Sequence, residues 1–178
     1  MAEIVPLDYG EIGGGLSRML NRFHNEGTLT GDADEDTFLR THPEAALLGL
    51  LFDQRVRAES AFTGPRRLYN QIGHLDMRRL AVFDPEQLRT VFAPPPLAVH
   101  RFSNKMADYT RAVAQSIVDQ HDGDVTNIWS DEADSSTVRK RVQKLPGFGP
   151  TKAMKSKYVL HYLGYRDFSS EQAFLKRG

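Results

Sequence analysis

Apolar residues recur at helical spacing along most of the chain. No stretch alternates apolar and polar residues in the two-residue rhythm of a half-buried strand. After a flexible break at Gly13-Gly14-Gly15, Leu16, Met19, Leu20 and Phe23 predict a short amphipathic helix near 15–25. Residues 24–37 are polar and acidic and read as a loop. Pro43 suits a first helical turn, where its missing N–H costs nothing. Ala45, Leu47, Leu48, Leu50, Leu51 and Phe52 are then apolar on nearly every side, which predicts a helix at the centre of the fold. It ends in polar Asp53-Gln54-Arg55. Two further helices are expected at 58–72 and 76–82, the first broken or restarted at Thr63-Gly64-Pro65. Asp84-Pro85-Glu86 has the form of an N-cap followed by proline and predicts a helix through about Val91. Pro94-Pro95-Pro96 predicts an extended linker. Ser103 opens a long helix to about His121 with a buried stripe of Met106, Tyr109, Val113, Ile117 and Val118, closed by Gly123. Helices over 137–144 and 150–163 flank a glycine-rich corner, Gly164 ends the second, and Ser169-Ser170 caps a last helix at 170–177. The reading is an all-α protein: an N-terminal extension (1–40) carrying a short helix, then a helical domain over 41–178.

Composition narrows the function classes. A chain of 178 residues buries a core without disulfides. It contains no cysteine, which excludes thiolate zinc sites and cysteine-ligated iron–sulfur clusters. The opening MAEIVPLDYGEIGGG lacks the form of a secretory signal, and no run approaches the roughly 18 apolar residues of a membrane span. A cytoplasmic monomer that does not engage membranes is expected. The formal net charge of zero hides an asymmetry: residues 139–178 carry ten Lys or Arg against two acids, so the rest of the chain is acidic by the same margin. Such a basic quarter reads as a footprint for a polyanion, or equally as a solvated lysine-rich helix.

The most specific feature is Leu145-Pro146-Gly147-Phe148-Gly149-Pro150-Thr151-Lys152-Ala153. One helix ends, two glycines sit one residue apart, and another helix begins. Peptide N–H groups at such a turn, with the N-terminus of the next helix, can grip a phosphate. Leu145, Phe148 and Ala153 would pin the helices together, and Lys152, Lys155 and Lys157 would add phosphate contacts that position a duplex without reading its sequence. An ordinary helix–turn–helix corner would share the glycines; the basic helix before it and the lysine row after it favour DNA.

This stretch resembles the hairpin of the helix-hairpin-helix base-excision DNA glycosylases of the endonuclease-III type, closest to a small, cluster-free bacterial branch. The likeness extends upstream to Ala45–Gln54, similar to the family's central helix ending in a glutamine near DNA, and to the segment from Ser103 to Val125. The resemblance implies two helical lobes around a cleft, double-stranded DNA as partner, and a nucleotide flipped into the cleft. It also implies a monovalent cation held by backbone carbonyls, here those of Gln143, Leu145 and Phe148. No other cofactor is expected. Six histidines are scattered without ligand spacing, so no transition-metal site is expected either.

Hydrolysis of an N-glycosidic bond needs a carboxylate near the sugar. The resemblance places bifunctional members' nucleophilic lysine at Thr151. Lys152 comes one residue later, turned by about 100°, toward the DNA backbone or solvent. A monofunctional enzyme without Schiff-base chemistry is therefore expected. The family's aspartate would fall on Ser169, and Asp167 is the nearest candidate, with Glu171 and Asp53 behind it. Asp167 serves equally as a helix cap. Gln54 and Arg55 are the candidates to fill the space of the flipped base, or simply end their helix. Phe52, Phe62, Tyr69, Trp129 and Tyr158 offer stacking surfaces or core, and His100-Arg101-Phe102 lines the cleft or anchors a loop. The expected function is thus excision of a damaged or modified base, in repair or against modified phage DNA. The alternatives are a non-catalytic DNA-binding protein with the same hairpin and, further off, a helical protein whose basic tail binds RNA or acidic partners.

Overall fold

The computed structural model describes residues 3–93 and 98–171. The proline triplet and most of the last expected helix lie outside them. The described chain is all-helical: α1 (Gly14–Glu26), α2 (Ala33–Thr41), α3 (Pro43–Phe52), α4 (Ala58–Ile72), α5 (Met77–Ala81), α6 (Pro85–Phe92), α7 (Ser103–His121), a single 3₁₀ turn (Val125–Ile128), α8 (Ser135–Gln143) and α9 (Pro150–Tyr162). No described helix is long and apolar enough to cross a membrane.

The all-round apolar pattern of α3 has the consequence expected of it. Every residue from Ala45 to Phe52 is buried, and α3 packs against α2, α4, α7 and α9. Its closest partner is α4, through a reciprocal fit of two glycines and two phenylalanines. A Cβ on Gly49 would stand 2.5 Å from the Phe62 ring, and one on Gly64 would stand 2.8 Å from the Phe52 ring. Each helix receives the other's aromatic ring where it has no side chain.

Two expectations need correction. Residues 24–37 are not one loop: α1 runs to Glu26 and α2 begins at Ala33. The acids there start a helix. Asp32 caps α2 by accepting from the Asp34 and Glu35 amides, and Asp34, Glu35 and Asp36 fill the first turn, where the helix dipole favours negative charge. Asp36 is buried and gathers the intervening turn, accepting from the Thr28 hydroxyl (2.6 Å), the Leu29 and Thr30 amides (3.0 Å each) and the Thr30 hydroxyl (2.5 Å). Nor does Thr63-Gly64-Pro65 break α4, which runs through Pro65. Gly64 is held by the Phe52 contact, and Arg67 ties that turn to the chain before α7 by donating to the Ser60, Ala98 and Val99 carbonyls.

The residues read as an extension form part of the core. Leu7, Ile12, Leu16, Met19, Leu20, Leu29, Phe38 and Leu39 are buried in the same apolar cluster as α3 and α9. The Tyr162 hydroxyl accepts from the Leu7 amide at 3.1 Å, and His161 Nε2 donates to the Val5 carbonyl at 2.6 Å.

Candidate nucleic-acid interface

The corner between α8 and α9 is a tight turn fixed from below. Leu145, Phe148 and Ala153 are buried, as the spacing required. Gly147 adopts φ +81°, and a Cβ there would lie 2.8 Å from Leu51 and 3.0 Å from Tyr109, so both backbone conformation and close approach demand glycine. Gly149 is different. It is exposed, and a Cβ there would meet nothing. It is the N-cap of α9 without any side-chain cap. Pro150 has no N–H to offer, and among the described residues the amides of Gly149, Thr151 and Lys152 find no acceptor. Three donors and the positive end of a 13-residue helix thus converge on an exposed edge. Thr151 is exposed on that edge.

Charge around the edge comes chiefly from α8. Arg139, Lys140 and Lys144 are exposed, and Lys140 and Lys144 share a helical face. Arg141 is already committed to Asp131 (2.9 Å) and the Ile128 carbonyl.

Two of the three lysines of α9, Lys152 and Lys155, behave otherwise than expected. Lys152 does not reach phosphate or solvent. It is 8% exposed, and its ammonium donates to the Leu51 carbonyl (2.7 Å), Gln54 Oε1 (2.9 Å) and the Gly147 carbonyl (3.3 Å). Burial pulls its pKa down to about 8, with Lys105 and Lys155 acting in the same direction and Asp53 opposing. Lys155 is mostly buried and ion-paired with Asp53 at 3.1 Å, which corrects its assignment as a free phosphate contact. A signal for this was present: Lys152 shares a face with Ser156 and Val159, at i+4 and i+7. With His100 Nε2 donating to the Phe52 carbonyl at 2.8 Å, two side chains from elsewhere satisfy the carbonyls at the C-terminus of α3. His100, buried, also accepts the Phe102 amide through Nδ1, so it anchors its loop.

Gln54 is therefore tethered beneath the hairpin, whereas Arg55 is exposed at φ +56°. Phe52, Phe62, Trp129 and Tyr158 are core.

Among the described residues the carbonyls expected to hold a monovalent cation are largely without hydrogen-bond partners. Among the described residues those of Gln143 and Phe148 accept no hydrogen bond, and that of Leu145 accepts only the Phe148 amide. Carbonyl oxygens suit a hard cation. No group of three His, Asp or Glu able to hold a metal ion occurs among the described residues.

Asp167 is not brought to the hairpin. It follows the C-terminus of α9, about 15 Å along that helix from Thr151 to the His161 turn at 1.5 Å per residue. Its side chain is 70% exposed and lies 3.8 Å from His161 Nδ1. Bonds from the Ser169 hydroxyl and amide hold its carboxyl below the usual range. It caps the turn that starts at Ser169. Glu171 accepts from the Ser135 hydroxyl and amide, and Asp53 is taken by Lys155.

No family model matches the chain, and no curated protein or solved structure matches it.

Proposed function

We propose that this protein binds duplex DNA by gripping the phosphate backbone with the hairpin at 144–151. One observation carries the reading: the uncapped N-terminus of α9 presents three unpartnered amides at an exposed glycine, beside the free cations of α8. An anionic oxygen satisfies those donors and the helix dipole together. Contacts of this kind fix register on a duplex and leave its sequence unread.

Excision of a damaged or modified base is the activity that the resemblance attaches to such a hairpin, and it stands here as the second reading. The position of Asp167, turned onto Ser169 at the far end of α9, favours binding without catalysis. A base-release assay on alkylated, deaminated and phage-modified DNA, with freed bases identified by mass spectrometry, decides between the two. Release that is lost in Asp167→Asn would establish hydrolysis through that carboxylate.

Gly149→Leu is the direct test of binding. A side chain at this position enters open space, so the fold is kept while the phosphate seat is covered. The expected result is a loss of duplex affinity of about tenfold or more in fluorescence anisotropy, with the melting temperature lowered by no more than about 4 °C, the cost of replacing a glycine N-cap. Unaltered affinity would remove the hairpin from the interface.

A further inference from the structure

An open cavity of about 610 Å³ lies at the other end of α3, about 15 Å along that helix from the hairpin. Four segments build it: the start of α3 (His42, Glu44), the end of α4 (Tyr69, His74), the start of α5 and the turn after α7. Its volume falls in the range of small-ligand sites. Nothing in the hairpin reading uses it.

The polar groups around the cavity divide into those occupied and those free. Asp76 is spent on the Arg78 and Arg79 amides, and Asp124 on the amide and hydroxyl of Thr126. Arg78 is paired with Asp122 at 3.0 Å and bonded to its carbonyl. Glu44 has no ion-pair partner among the described residues. Burial pushes its carboxyl up, its own amide and His42 oppose, and Asp124 and Asp76 push it further up. A cation beside it would remove that cost. Both histidines have fixed tautomers. His42 Nδ1 donates to the Phe38 carbonyl at 3.0 Å, which leaves Nε2 as an acceptor in the neutral ring. His74 Nδ1 accepts the Asp76 amide at 3.0 Å, so its proton sits on Nε2. The Tyr69 and His42 rings meet at 67° with centroids 5.4 Å apart, forming an aromatic corner that lines the same cavity as Glu44.

We infer that this cavity is a binding site for a small planar nitrogen cation of the guanidinium type, paired with Glu44 and lying against the Tyr69–His42 corner. A guanidinium donates in its plane to a carboxylate and presents its face to an aromatic ring, which a spherical metal ion cannot do. The same chemistry arises from a free guanidine compound or from an arginine side chain of a protein partner.

Two probes separate these sources: agmatine, and a blocked Gly-Arg-Gly tripeptide. Each is titrated into the whole protein while the His42 and His74 imidazole NMR signals are followed. Saturable shifts of both rings are expected, weakened about tenfold or more in Glu44→Gln, which removes the charge and keeps the shape. Tighter binding of agmatine assigns the site to a free compound, and tighter binding of the peptide to a partner's arginine; both uphold the proposal. Tyr69→Leu, expected to weaken the same probe, replaces Glu44→Gln should that variant lose its native melting transition. Absence of saturable shifts with either probe, or undiminished binding in the variant, overturns it. Duplex affinity serves as an independent readout, since neither variant touches the hairpin.

Discussion

Lys152 joins three parts of the chain through one nitrogen. Its ammonium gathers the last turn of α3, the Gln54 side chain and the hairpin carbonyl of Gly147. A buried ammonium with a pKa lowered to about 8, against 10.5 when free, makes stability depend on pH in a defined direction. Above about 8 the folded chain sheds this proton while the unfolded chain still holds it, so rising pH favours the folded state through that window. Below it both states are protonated and the contribution is flat. Urea unfolding of the native protein and of Lys152→Met at several pH values checks this. The native protein should gain on the variant between about pH 8 and 10.5, and a constant difference would show an unshifted lysine. The residue's role was only half legible in the sequence. Glycines and lysines identify the corner, but the direction of one lysine is decided by carbonyls about 100 residues away that no local pattern records.

At the level of elements, most helices follow from apolar spacing and caps, because burial of one face and satisfaction of the end amides are local demands. α3 and α7 are the clearest cases. α2 was hidden because a run of acids looks like solvated loop until Asp32 and Asp36 are seen bonding amides. α4 was obscured by Pro65, whose local tendency to break a helix is overridden by tertiary packing of Gly64 against Phe52. The reciprocal glycine–phenylalanine contact between α3 and α4 leaves no room for a side chain at either glycine. Gly64→Ala puts a methyl 2.8 Å from Phe52 and 3.1 Å from the Val99 carbonyl. The expected cost is about 1–3 kcal/mol in chemical denaturation. Equal stability would mean that the two helices can part without loss.

For the whole molecule, the N-terminal segment decides the boundary of the folding unit. Leu7 and Ile12 enter the common core, and the Val5 and Leu7 backbones are bonded by His161 and Tyr162 of α9. Removing residues 1–12 should cost about 3 kcal/mol or more, from two buried aliphatic side chains and the stranded α9 groups. Unchanged unfolding would make the segment an appendage. Its place was not legible, since residues 1–13 carry too short a pattern and their partners lie some 155 residues away. The site is likewise split across the chain: the hairpin is one contiguous motif, whereas the cavity draws on four segments whose meeting is settled only by the fold. The burial of Lys152 also has a chemical consequence. An amine enclosed by three oxygens is out of reach of acylating reagents that modify Lys140 and Lys144 at the surface. Label arrives at Lys152 only in the moments when the joint between α3 and the hairpin comes apart, so its rate of modification is a clock for that opening.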